Sequence, residues 1–401
     1  MKQNKVDDFR LQIQGLSNKK YFNYGGQGPL PSASLDAIIE SWKKIQDLGP
    51  FTTKGWVYVI SEIEKTRSKL ASICNVSSHR IALTENVTIG CILPLWGLPF
   101  SIGDRILISD SEHPGVVATC KELALRYKLK MDILNVKDLR DGLHAEANTQ
   151  ETLQRKLEKA LHPKTKLVVL SHVLWNTGQI IPIETVADML NEHQNHPYLL
   201  VDAAQTFGQV PIKDVANKVD IYAFTGHKWA FGPEGLGGLV VSERILADAR
   251  PTFIGWRGLK HEGSALFQEE VSPLEVDSRR FEIATSCTPL LAGLRCSLEL
   301  LEGIGREEER LQRIRKLSHE LWIKLRAIKG VETILEGPPP SGLVSFFLQR
   351  DNNPKDIVKV LGKKAIWIRD LEDPKCLRAC LHITSTSEEI YALSKEIECL
   401  V

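Results

Sequence analysis

A chain of 401 residues, 43% apolar and 25% charged, exceeds one ordinary core and has the composition of a globular, enzyme-sized protein with two domains. Its 51 Lys and Arg stand against 50 Asp and Glu, which removes the electrostatic case for nucleic acid or an anionic membrane as partner. No apolar run is long enough to span a bilayer and MKQNKVDDFRLQIQG lacks the apolar core of a signal peptide, so a cytoplasmic location is expected.

In chain order, residues 1–30 form an N-terminal segment. From 81 to 242, short apolar runs recur: IALT, RILIS, MDILNV, KLVVLSHV, YLLVDAA, IYAFTG and GLGGLVVS. Stretches such as VVATCKELALRYK and TLQRKLEKALH between them carry helical periodicity. Continuous rather than alternating apolar strands predict a mainly parallel sheet covered on both faces, an α/β domain over 31–287. From 288 a long helix, broken near Gly303-Ile304-Gly305, leads into shorter strands and helices. A smaller α+β domain over 288–401 is expected, with GPPPSG at 337–342 as a turn inside it. None of the eight cysteines forms a CxxC pair, so no metal site or dithiol motif is visible.

Ligands in parallel α/β sheets sit beyond the carboxyl ends of the strands. Lys228, Asp202 and His172 all fall at such ends. Lys228 follows a histidine where an apolar strand runs into the glycine-rich stretch AFTGHKWAFGPEGLGG. It reads either as a solvated loop lysine or as one whose lowered pKa suits Schiff-base chemistry. Asp202 reads as a helix cap or as the partner of a buried pyridinium nitrogen, and the presence of Lys228 downstream favours the second.

The segment VDAAQTFGQVPIKD…VDIYAFTGHKWAFGPEGLGGLVV resembles the signature of class V, fold-type I pyridoxal-phosphate enzymes of the cysteine desulfurase group. ALTENVTIG, SEHPGVV, SHVLWNTGQIIPI and RFEIATSCTP extend the resemblance to residues 20–395. It implies a large seven-stranded cofactor domain and a homodimer. By this resemblance Lys228 carries the cofactor and moves the Cα proton, and Asp202 pairs with the ring nitrogen. Gln205 meets the phenolic oxygen, while His113 and Ala204 cover the two ring faces. Thr88, the amide of Val87, Thr225 and His227 hold the phosphate at a helix start. Thr285 reaches the phosphate of the partner subunit. Where the family has an asparagine beside the cofactor, this chain has Trp175 followed by Asn176; either Asn176 substitutes or Trp175 reshapes the pocket.

Arg378 matches the family arginine that grips the substrate α-carboxylate, and Arg369 is placed to meet a second carboxylate or to pair with a nearby acid. In desulfurases the interval between them carries a mobile loop with the attacking cysteine. Here only DLEDPKCL separates the two arginines, so Cys376 reads as structural. The chain resembles in this the L-cysteine/L-cystine C–S lyases of the cyanobacterial type. The resemblance implies β-elimination of cystine or cysteine to pyruvate, ammonia and a persulfide or sulfide that supplies an iron–sulfur acceptor. The rival readings are a cysteine or selenocysteine desulfurase using Cys376, and a non-catalytic sulfur-delivery protein.

Overall fold

The computed structural model describes residues 2–260, 273–349 and 353–401. After a two-residue strand β1 (Lys20–Tyr21), seven strands build the large sheet. They are β2 (Ile81–Thr84), β3 (Arg105–Ser109), β4 (Lys130–Leu134), β5 (Thr165–Ser171), β6 (Tyr198–Asp202), β7 (Ile221–Thr225) and β8 (Gly237–Val241). Their order is β2-β8-β7-β6-β5-β3-β4. Successive residues feed two cores: Val168, Leu170, Tyr222 and Phe224 enter one, and Leu167, Val169, Ile221 and Ala223 the other. That two-sided burial is why these strands read as continuous apolar runs. At the free edge β4 exposes Lys130 and Ile133.

The expected mainly parallel sheet is present with one reversal: β8 runs antiparallel to both β2 and β7. The physical reason is the connection from β7. It is a loop without a crossover helix, and a chain that returns this way pairs antiparallel.

A second, antiparallel sheet has the order β12-β13-β10-β9, built from β9 (Val331–Thr333), β10 (Leu343–Leu348), β12 (Arg369–Glu372) and β13 (Lys375–Cys380). β11 (Ile366–Trp367) instead pairs with β1 in parallel, so the run AIWIRD divides between two sheets at Ile368. Alternate residues Leu377, Ala379, Val344 and Phe346 face the helices Glu307–Arg326, Pro354–Lys363 and Ser387–Glu398 in a separate core. By strand alternation Cys376, Arg378 and Ser345 face the other way, and Arg378 donates to the carbonyl of Trp175 in the large domain.

The break at Gly305 divides the long helix into Thr288–Ile304 and Glu307–Arg326. Leu291, Leu294 and Leu298 of the first helix lie in a core of the large sheet, and Leu301 and Ile304 meet Val6 and Phe9 of the N-terminal helix Gln3–Leu11. Among the described residues no helix is long and apolar enough to cross a membrane.

Candidate active site

Three strands meet at one point of the large sheet. Thr84 at the end of β2 and Thr225 at the end of β7 both pair with Gly237 at the start of β8. The helix Val87–Leu95 therefore begins beside Thr225 and His227. Asn86 caps it, its Oδ1 accepting from the Ile89 amide at 3.0 Å. The amides of Val87 and Thr88 precede the first intrahelical bond, as the opening donors of any helix do. Thr225 Oγ1 lies 2.7 Å from His227 Nδ1. A helix start, a hydroxyl and an imidazole thus share a corner suited to an anion.

Beyond β7 the chain turns back on itself, the Gly226 amide donating to Leu236 O at 3.0 Å and the Gly232 amide to Gly226 O at 2.9 Å. This fold-back carries Lys228 inward. Burial pushes its ammonium down from 10.5 to about 8; Asp202 opposes that shift, and the guanidiniums of Arg378 and Arg369 add to it. The carboxyl of Asp202, at the end of β6, is raised by burial, with the Ala204 amide and then Lys228 opposing. Asp202 Oδ1 accepts from Ala204 N at 2.8 Å. Asp202 therefore makes the cap-like contact and also faces the lysine.

His113 caps the helix Pro114–Tyr127, with Nδ1 accepting from Gly115 N at 3.3 Å. A methyl group on Gly115 would stand 3.5 Å from His113 Nδ1 and 3.7 Å from Thr88 Cγ2, which makes those two side chains neighbours. Partial burial lowers the imidazole pKa, and it is coupled to Asp202, Lys228 and Arg369. His227 is lowered in the same way, by burial and by Lys228.

Arg369 and Arg378 are direct cross-strand partners on β12 and β13, so their side chains leave the same face of the sheet. Like charges placed opposite repel, and among the described residues neither forms an ion pair with a carboxylate. Arg378 is buried, donates through one nitrogen to Trp175 O at 2.5 Å, and leaves its Nε without a partner. Two adjacent guanidiniums without a carboxylate form a site for an anion.

The sequence-predicted residues fall into two groups. Lys228, Asp202, His113, Thr88, Val87, Ala204, Thr225, His227, Arg369 and Arg378 gather around the strand ends. Gln205 is at their edge: its Nε2 donates to Gly25 O and its Oε1 accepts from Trp229 Nε1, both at 2.9 Å. An amide nitrogen carries two donors, so a second N–H remains beside the Gly25 carbonyl contact. Asn176 and Thr285 have other neighbours within this chain. Asn176 accepts from Ser111 Oγ at 2.7 Å and donates to Asp373 O at 3.4 Å. Thr285 lines an apolar cavity with Trp42, Phe51 and Trp56. Cys376 is buried within β13, and burial pushes its thiol up to about 12.

Several contributors carry no sequence signal of their own. The N-terminal segment closes one wall: a methyl on Gly25 would lie 3.2 Å from an Arg378 nitrogen, and the Gly28 amide donates to His227 O at 2.8 Å. Glu112, beside His113, is buried and accepts from Ser109 Oγ and from Ser171 through its amide and hydroxyl. Burial raises its carboxyl to about 8. The adjacency of Glu112 to His113 was the one available clue.

The aminotransferase class-V family model matches residues 30–393. A probable cysteine desulfurase of Methanothermobacter thermautotrophicus is 25% identical, covering 98% of each chain. The cysteine desulfurase of Escherichia coli is 25% identical over 96% of this chain and 95% of its own. Among solved structures, the cystine C–S lyase C-DES in complex with its reaction product, cysteine persulfide, is 38% identical with a TM-score of 0.88. The match covers 96% of this chain and 99% of that one. A C-DES variant with glycine covalently linked to the pyridoxal-phosphate cofactor matches with a TM-score of 0.89, 38% identity, and coverage of 97% and 98%. With a family match over nearly the whole length and the strand-end lysine in place, this chain belongs to the aminotransferase class-V family.

Proposed function

We propose that the chain is a pyridoxal-phosphate-dependent C–S lyase that eliminates L-cystine, and cysteine, to pyruvate, ammonia and cysteine persulfide or sulfide. The observation that carries this reading is the pair Arg369 and Arg378, two cross-strand cations without a carboxylate partner among the described residues, beside a lysine whose pKa is lowered to about 8. Cystine brings two carboxylates, one for each arginine.

The residues fit the cofactor. A partly deprotonated amine suits its aldehyde, a buried carboxyl suits its ring nitrogen, and the amides of Val87 and Thr88 at the helix start, with Thr225 and His227, suit its phosphate. When bound, pyridoxal phosphate supplies an electron sink for the pair released at the substrate Cα. Asp202 would hold the proton on the ring nitrogen. His113 and Ala204 would flank the ring, and the remaining N–H of Gln205 would serve its phenolic oxygen. Arg378 grips the α-carboxylate and thereby orients the Cα–H bond. Lys228 takes the Cα proton. Breaking the Cβ–S bond then releases a persulfide, a better leaving group than a simple thiolate because its conjugate acid is stronger. The three-carbon amine left behind hydrolyses to pyruvate and ammonia.

The 38% identity to a cystine C–S lyase supports this chemistry over the desulfurase reaction. So does Cys376, whose buried thiol within a strand lacks the reach of a sulfur carrier. We further propose a homodimer in which Thr285 reaches the partner subunit's cofactor phosphate; the apolar cavity around Thr285 and the exposed Phe51 nearby support an interface there. An iron–sulfur assembly protein as sulfur acceptor, and a cytoplasmic setting, complete the reading.

Product analysis tests it. Cystine is expected to yield pyruvate, ammonia and persulfide in equal amounts. Alanine as the main product from cysteine would return Cys376 to the role of nucleophile.

A further inference from the structure

We propose that Trp175 is a specificity-determining partition, which anchors Arg378 through its carbonyl and seals Cys376 from the reacting sulfur with its indole. The inference deepens the lyase reading and rests on it only for the turnover arm of the test below. Trp175 lies in the tight turn after β5, where Leu174 N donates to Gln179 O at 2.9 Å and Gly178 N to Leu174 O at 2.8 Å. The turn fixes where its carbonyl points. The carbonyl meets Arg378 at 2.5 Å. The ring packs with Phe347 against the small cluster of Ile334, Leu371 and Cys376.

Cys376 and Arg378 are two residues apart on one strand, so they share a face about 7 Å apart. Without a cover, the thiol would stand one strand repeat from the guanidinium that binds substrate. Trp175 also lines a cavity of about 740 Å³ with Ser109, Glu112, Glu372 and Asp373, so it borders both that cavity and the cluster that holds Cys376. Its Nε1 is buried without a partner, a cost that an apolar filler such as Phe would avoid.

The chemistry gives the seal a purpose. A persulfide product transfers its outer sulfur to any thiolate it meets. Uncovered, and so relieved of the burial that keeps it protonated, Cys376 would ionise and its thiolate would attack that outer sulfur; a new S–S bond would form, the old one would break, and its pair would leave on the cysteine thiolate. No external oxidant is needed. Such a transfer would trap sulfur on a buried strand with no route to an acceptor. Trp175 prevents it, and the product leaves intact.

The test compares wild-type holoenzyme with Trp175→Ala and Trp175→Phe, using iodoacetamide and peptide mass mapping. Cys74 and Cys91, fully buried in the two large cores, serve as internal references. Cys376 is expected to react at least ~10-fold faster in Trp175→Ala and within ~3-fold of wild type in Trp175→Phe, with both references silent. After cystine turnover, a gain of about 32 Da, one sulfur, is expected on Cys376 in Trp175→Ala alone. The inference is overturned if Cys376 labels as fast in wild type as in Trp175→Ala. It is equally overturned if Cys376, Cys74 and Cys91 become reactive together, because general looseness rather than the indole would then control access. Labelling needs no turnover, so a wild-type enzyme that makes no pyruvate would sink the lyase reading while leaving this result standing.

Discussion

An amine captures an aldehyde in its neutral form, so if Lys228 takes the cofactor its lowered pKa should set how fast the apoprotein does so. Covalent capture of pyridoxal phosphate should rise about tenfold per pH unit up to about pH 8 and then level off. An unburied lysine would keep climbing toward 10.5. Absorbance-monitored uptake across this range reads the inflection, and an inflection near 10.5 would remove the role assigned to burial. The linkage has a definite sign: between about 8 and 10.5 the unfolded chain holds a proton that the folded one has lost. The burial cost of Lys228 therefore weighs fully below about 8 and is relieved as pH rises toward 10.5. Asp202→Asn should lose about two orders of magnitude in turnover, roughly 3 kcal/mol of transition-state stabilisation. Near-normal turnover would leave Asp202 as a cap for Ala204 and nothing more. The two arginines separate by burial. Arg378→Ala should weaken substrate binding by about 3 kcal/mol or more, because it strips a buried charge from its partner. Arg369 is exposed, so Arg369→Ala should cost only about 1 kcal/mol, and cystine should suffer more than cysteine. Comparing kcat/KM for both substrates checks this, and equal losses would mean that Arg369 meets no distal carboxylate.

At the scale of elements, the site depends on a segment that belongs to neither the seven-stranded nor the four-stranded sheet. Residues 22–28 run from the β1–β11 pair to the loop that carries Lys228, tied by the Cys380 amide to Phe22 O at 2.7 Å and the Gly28 amide to His227 O at 2.8 Å. A methyl on Gly28 would stand 2.2 Å from the Lys228 carbonyl oxygen. Backbone cannot yield as a flexible side chain does, so Gly28→Ala should push the segment off the lysine loop at a cost of about 1–3 kcal/mol. A lower melting temperature together with lost turnover is expected from thermal scans and kinetics. Unchanged values would show that the two elements are not coupled. The helix Val87–Leu95 makes the complementary case. Asn86→Ala removes one cap, should cost about 1 kcal/mol, and should loosen phosphate more than it loosens the fold.

At the scale of the molecule, the exposed aromatic face around Thr285 supports the proposed homodimer. Phe51 is 89% exposed, with Trp42 and Trp56 partly exposed beside it. The rings of Phe51 and Trp56 stack at 5.9 Å, and Trp256 lies 6.2 Å from Trp56. Exposed aromatic patches of this kind mark association sites. Trp56→Glu should convert a dimer into a monomer by light scattering, and turnover should fall with it if Thr285 serves the partner's cofactor. A Trp56→Glu monomer of full activity would separate the dimer from the site.

The strand order of function was legible in the linear chain because burial on both faces writes each parallel strand as a continuous apolar run, with the chemistry at its carboxyl end. That is how Lys228 and Asp202 stand out, whereas His113 was marked only by the resemblance of SEHPGVV to the family. The family resemblance rests on those same residues. The reversal of β8 was not legible, since a strand's apolar pattern is the same in either direction. Nor were the contacts made across long separations: Trp175 O with Arg378, Gly28 with the lysine loop, Asn176 with Ser111 and Asp373. Spacing along a chain records which residues can share a helix or strand face. Only the packing of one element on another decides which distant groups meet, and here it decided that Arg369 and Arg378 stand side by side, with Trp175 packed on the cluster that holds Cys376.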